Sequence, residues 1–119
     1  MQNATKSDPS CLFCRLVRRE IPSTPVYEDE EFYAFRDIAP KAPTHVLVIP
    51  KTHLAGLSAV SPGDAPLLAR LLLVLAGIAK SEKAHDYRLV VNNGADAGQS
   101  VDHLHFHLLA GRSFTWPPG

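Results

Sequence analysis

Residues 103–107 read His-Leu-His-Phe-His and run on into Leu108, Leu109 and Ala110. Strict alternation of polar and apolar side chains is the period of a strand with one buried face. On that register His103, His105 and His107 share one face, while Leu104, Phe106 and Leu108 turn to a core. A segment of this kind commits the chain to a sheet with one covered side. Half of the six histidines fall within these five residues, which places the functional site here.

The spacing limits the chemistry. Side chains at i and i+2 on a strand lie roughly 6.6 Å apart, and those at i and i+4 roughly 13 Å. Two neighbours can reach one metal, since Zn–N bonds are about 2.0–2.1 Å; three in a straight row cannot. Such a row suits an extended, multiply charged ligand, for example a nucleotide phosphate. Imidazole also titrates near neutrality, so it can serve as nucleophile, acid or hydrogen-bond donor.

The rest of the chain reads as one domain. With 119 residues and 45% hydrophobic content it is long enough to bury a core. Residues 1–10 are expected as a disordered polar tail and residues 11–119 as the single folded unit. Twelve basic side chains balance twelve acidic ones, so no global field draws nucleic acid or a membrane, and phosphate binding must be local. The first ten residues lack the apolar core of a signal peptide. The run from Ala65 to Ala79 is about 15 residues and carries Arg70, which reads as too short and too charged to span a bilayer. A soluble cytoplasmic protein is therefore expected.

Ser10 is placed to cap a short helix from Cys11 to about Arg19, with Leu12, Phe13, Leu16 and Val17 apolar. Val26–Tyr27 and Phe32–Asp37 form a hairpin about Glu28-Asp29-Glu30. His45–Pro50 is a central strand. Ser61-Pro62-Gly63-Asp64 opens a long helix to about Lys83, and Tyr87–Asn92 is a fourth strand. In the small-residue loop that follows, Gly98 allows close backbone approach, and exposed amides with the Ser100 hydroxyl can cradle an anion. No glycine-rich loop with lysine of the Walker type is present.

The triad with its trailing hydrophobics, Asn92, Ala97-Gly98-Gln99-Ser100-Val101, the Ala42–Lys51 segment and the Trp116-Pro117-Pro118-Gly119 end resemble the histidine-triad (HIT) family, in its Hint-like nucleotide-binding branch. The resemblance covers about residues 11–119. It implies an α+β fold, an antiparallel sheet of about five strands with one long and one short helix, in a homodimer. It also implies a purine nucleoside phosphoramidate hydrolase that passes through a nucleotidyl-histidine intermediate and releases AMP. His105 would be the nucleophile. His107, Gly98, Gln99, Ser100 and Asn92 would attend the phosphate, Asp37 the ribose hydroxyls, and Ile38 the base. Trp116 would lie near the partner's site, and no cofactor would be required for the chemistry. A non-catalytic nucleotide-binding dimer and a zinc-dependent hydrolase using two triad histidines are the alternatives.

Cys11-x-x-Cys14 offers two thiolates at zinc-knuckle spacing, and a tetrahedral site needs two more donors. His53 and His85 read as exposed connector residues. His45 and His103 each open a strand, so neighbouring strands were expected to bring both to one end of the sheet. The expected structural zinc set is Cys11, Cys14, His45 and His103, a choice that zinc-bearing histidine-triad relatives resemble.

Overall fold

The computed structural model describes residues 6–119; the first half of the expected polar tail lies outside them. Five antiparallel strands form one sheet in the order β1-β2-β3-β5-β4: Pro25–Glu28, Phe32–Arg36, Thr44–Pro50, Phe106–Ala110 and Tyr87–Val90 for β1, β2, β3, β5 and β4. The short helix α1, Leu12–Val17, covers one face and the long helix α2, Ala65–Ser81, covers the other.

Two apolar layers follow from the strand alternation. Phe32, Ala34, Val46, Val48 and Leu108 point toward Leu71, Leu75 and Ile78 of α2. Tyr33, Phe35, Leu47 and Ile49 point the other way, toward Phe13 and Leu16 of α1. Each fully buried leucine of the first layer contributes about 1.5–3 kcal/mol relative to exposure. His45 and His107 project from the α1 side of the sheet, because they alternate with Val46 and Leu108.

Ser61 and Asp64 form the expected capping box: the Asp64 carboxylate accepts from the Ser61 amide at 2.9 Å. The 3₁₀ turn that they open, Pro62–Asp64, runs directly into α2. The continuous apolar stretch is therefore Pro62–Ser81, 20 residues, long and apolar enough to cross a membrane by length and composition. That corrects the shorter span read from sequence. Its buried stripe, Leu71, Leu75, Ile78 and Ala79, lies on the sheet, as for a core helix.

Two local expectations change. Cys11, not Ser10, caps α1: its Sγ accepts from the Cys14 amide at 3.4 Å, while Ser10 bonds to Asp8. Leu12 consequently points outward, and Cys14 joins Phe13 and Leu16 on the buried side. The histidine strand also starts late, at Phe106. The β3–β5 ladder ends at Val48 opposite Phe106. Two residues further along β3 is Pro50, which has no amide to donate. Residues 103–105 leave the ladder instead, and the Leu104 amide bonds to the Leu54 carbonyl at 2.6 Å.

Candidate active site and metal centre

The late strand start divides the triad. His105 and His107 remain together with ring centroids 5.1 Å apart, while His103 turns away from them toward α1. Backbone groups donate or accept in fixed roles, so they set which ring nitrogens carry hydrogen. The His105 Nδ1–H donates to the His103 carbonyl at 2.6 Å, which leaves its lone pair on Nε2. The Lys41 amide donates to His45 Nδ1 at 3.0 Å, so His45 carries its proton on Nε2. That proton goes to His107 Nδ1 at 2.9 Å, and His107 keeps its own on Nε2. The result is one imidazole, His105, with a free Nε2 lone pair beside another, His107, with a free Nε2–H.

Burial sets the charge of this pair of partners. Desolvation lowers the His45 pKa, against the opposing field of Asp37, whose Oδ2 lies 3.5 Å from His45 Nε2. His107 is pushed down to about 4 from 6.5, first by burial and then by the neighbouring His105 and His45, with Asp37 opposing. A histidine whose folded pKa is depressed stays neutral in the native state while the unfolded chain takes up a proton. Stability from His107 is therefore fully present above about 6.5 and is lost as pH falls toward about 4. Urea midpoints across that window should fall, and His107→Phe should flatten the decline; an unchanged slope in the variant would remove His107 as its source.

The other expected contacts are only partly assembled. Asp37 Oδ1 caps the Ala39 amide at 2.8 Å, and Oδ2 faces the His45–His107 pair. Ile38 is wholly exposed and Trp116 is 81% exposed, so both stand as uncovered apolar surface. Gly98 adopts φ +97°, a conformation that favours glycine, and the Asn92 amide lies close against it. Ser100 is exposed at the mouth of this loop. Gln99 differs from expectation. Its side chain donates to the Ala55 and Val101 carbonyls and accepts from the Gly94 amide, so it braces the loop and has no group to spare for phosphate.

Two clusters among the described residues gather donors for a metal: Cys11, Cys14, His53 and His103, and Asp37, His45 and His107. Proton positions separate them. In the first, the His103 Nε2–H donates to the Pro50 carbonyl at 2.8 Å, leaving Nδ1 as a lone pair within 3.3 Å of Cys11 Sγ, 3.6 Å of Cys14 Sγ and 3.2 Å of His53 Nδ1. A tetrahedral zinc with Zn–S of about 2.3 Å and Zn–N of about 2.0–2.1 Å puts its ligands roughly 3.3–3.8 Å from one another. The donor set fits. Amides also point at the sulfurs, Asp8 at Cys14 and Cys14 at Cys11, both at 3.4 Å. Burial meanwhile raises the Cys11 thiol above its usual range, so without a cation it would hold its proton. In the second cluster the Lys41 amide occupies His45 Nδ1 and leaves the proton on the nitrogen a metal would need. That set does not fit a metal.

His53 thus stands where His45 was expected. The reason is strand direction. β3 and β5 are antiparallel, so their first residues lie at opposite ends, and His45 pairs with Leu109 rather than approaching His103. The end of β3 is what meets residue 103, and the connector after Pro50 delivers His53 to the cysteines, Nδ1 3.3 Å from Cys14 Sγ. The available signal was Pro50 itself, which ends one strand next to where the other begins.

The HIT domain model matches residues 18–114. The chain belongs to the HIT family. It is 49% identical to a 14 kDa zinc-binding protein of Zea mays over 115 residues, covering 94% of this chain and 90% of that one. It is 45% identical to the Arabidopsis thaliana adenylylsulfatase HINT1 over 119 residues, 98% of this chain and 81% of the relative. A crystal structure of a HIT family hydrolase from Legionella pneumophila superposes with a TM-score of 0.90 at 49% identity, covering 92% of this chain and all of the other. The HIT model begins at residue 18, so the Cys-x-x-Cys helix lies outside the matched domain.

Proposed function

We propose that this HIT protein hydrolyses purine nucleoside 5′-phosphoramidates, releasing AMP through a nucleotidyl adduct on His105. The observation that carries the reading is the tautomer of His105, with Nδ1–H tied to the His103 carbonyl and the Nε2 lone pair free to attack. As the bond to phosphorus forms and the bond to the amine breaks, the leaving nitrogen needs a proton. His107, with Nε2–H free and its other nitrogen held by His45, would hydrogen-bond to the departing group while solvent supplies the proton, so the imidazole stays neutral throughout. Water then attacks the adduct and frees His105. The Ser100 hydroxyl and the amides near Gly98 would meet the equatorial oxygens, where a loose transition state carries its charge. Asp37 would take the ribose hydroxyls, and Ile38 would pack on the base. The name of the Arabidopsis relative adds an adenylyl group bearing a sulfate as a second substrate class for the same attack.

Cys11, Cys14, His53 and His103 would hold zinc in a closed structural site, supported by the fitting donor set and by the zinc-binding name of the maize relative. The chemistry itself runs on imidazoles and needs no metal in contact with substrate. A non-catalytic nucleotide-binding dimer is disfavoured because the site presents a lone pair, not only donors, at its centre.

The protein would work in the cytoplasm as a homodimer, with residues 11–119 as the functional unit. β1 ends the sheet with Pro25 and an irregular register, which blunts that edge. β4 ends it with a regular ladder and leaves Leu89 partly exposed, and α2 exposes Leu72 and, at 71%, Leu73. Trp116 in the tail would reach the partner's site. Turnover of AMP phosphoramidate with and without a chelator, on material whose mass is followed by sedimentation, tests all of this together. Expected are release of AMP, a rate not abolished within the first minutes of chelation, and a dimer at micromolar concentration. Binding without turnover, instant loss on chelation, or a monomer would refute catalysis, the imidazole mechanism or the dimer respectively.

A further inference from the structure

His103 faces two ways. Its ring places Nδ1 among Cys11, Cys14 and His53, and its backbone carbonyl receives the His105 Nδ1–H at 2.6 Å. Phe13, between the two cysteines in sequence, sets its ring edge-on to both histidines, with centroids 6.0 Å from His103 and 5.1 Å from His105. Leu54, next to His53, accepts the Leu104 amide. The cluster therefore ties α1, the connector after β3 and residues 103–105 into one unit, and the tautomer of His105 depends on a carbonyl inside it. Cys11 is partly exposed while Cys14 is buried, and their sulfurs lie within 4.8 Å of each other.

We infer that the Cys11–Cys14 pair is an oxidation-sensitive clamp on the nucleophile, through which a peroxide disarms His105 by opening the metal centre. The inference rests on the zinc reading above. In the step, each thiolate gives up one electron, the S–S bond forms and the O–O bond breaks. Two protons complete two waters, and zinc keeps its oxidation state. The disulfide removes two of four ligands, which two imidazoles cannot replace. Two residues separate Cys11, at the N-cap, from Cys14 in the first turn of α1, so their Cα atoms are about as close as a disulfide requires, roughly 4.4–6.8 Å. With the cluster open, the His103 ring keeps the Pro50 carbonyl and the edge of Phe13 but loses its metal bond, and the carbonyl that orients His105 loses that part of its support. His103 is thus a positioning residue for the nucleophile, and turnover should drop by roughly 10–100-fold, as when groups that orient a reactive centre are lost.

The test treats zinc-loaded, reduced protein with hydrogen peroxide. Three signals should move together: loss of two hydrogen masses located to the peptide holding both cysteines, zinc released to a colorimetric indicator, and the ¹⁵N shifts of the His105 ring leaving the Nδ1–H tautomer. Phosphoramidate turnover should fall in step, and thiol plus zinc should restore all of them. Stripping zinc from reduced protein with a chelator should reproduce the ring-shift change slowly, and His53→Asn should show it without oxidant, which covers the case in which cysteine variants fail to fold. Zinc release with unmoved His105 signals would overturn the clamp, as would retention of zinc after the disulfide forms. The mass, zinc and shift readouts need no substrate, so a protein that never turned over phosphoramidate would sink the proposed activity and leave the clamp independently tested.

Discussion

His105→Ala should lose turnover of an AMP phosphoramidate by roughly four orders of magnitude or more while retaining fold and nucleotide affinity. The size of the effect follows from what the side chain supplies. A covalent route divides one difficult displacement into two, and both halves pass through the same nitrogen. Neighbouring groups cannot substitute. His107 has its proton on the outward nitrogen, and turning that nitrogen into a nucleophile would cost the bond from His45. His103 has its lone pair among the thiols, on the far side of its own backbone. The zinc-hydrolase alternative would lose a metal ligand in the same variant, since either neighbouring pair of triad histidines includes His105, so the rate alone does not separate the readings. Quenched-flow with labelled nucleotide separates the two readings: wild type should accumulate an acid-labile, base-stable nucleotidyl adduct, and His105→Ala should show none. A variant that kept wild-type rates would end the assignment of His105. His107→Ala should do less harm, on the order of 10²–10³-fold, the usual cost of losing one positioned hydrogen-bond donor, and the loss should shrink with leaving groups that need no proton.

Much of this was legible in the chain before any coordinates. Alternation through Phe106–Leu108 demanded a sheet with one covered side, His45–Pro50 read as its central strand, and the Ser61–Asp64 box announced α2; the second covered face appears only in the structure. Spacing put His105 and His107 side by side, and their rings do lie 5.1 Å apart, although only His107 belongs to the strand. What failed were properties that spacing does not carry. Strand direction decides which ends meet, so His45 and His103, each first in its strand, part company in an antiparallel pair. A proline at the end of β3 stops the ladder and turns His103 off the row. The role of Gln99 depends on which carbonyls its side chain meets, and one of them, Ala55, comes from distant sequence. A side chain such as Cys11 can serve at once as helix cap and metal donor, and only the Cys14 amide at 3.4 Å reveals it.

Removing zinc should cost more stability than any surface substitution, and the loss should follow the ligand set drawn here. Zinc that binds the folded chain and not the unfolded one stabilises by RT ln(1 + [L]/Kd), about 4 kcal/mol at a thousandfold excess over Kd. For a domain of this size each kcal/mol moves the melting temperature by roughly 3–5 °C, so chelation should lower it by about 10 °C or more. The ligands close contacts far apart in sequence, with α1 on one side and the approach to β5 on the other, so little else can hold α1 once they are gone. Its six residues are too few to form a helix alone, and only Phe13, Cys14 and Leu16 are buried. Exchange of the α1 amides should therefore quicken on chelation before that of β2 or β3. Two substitutions then discriminate between the possible fourth ligands. His53→Ala should lose zinc and melt like the chelated wild type. His45→Ala should keep zinc at wild-type stoichiometry, because its Nε2 faces His107 and Asp37 on the other side of the site. If metal analysis gave the reverse, with zinc kept in His53→Ala and lost in His45→Ala, the coordination assigned from these distances would be wrong.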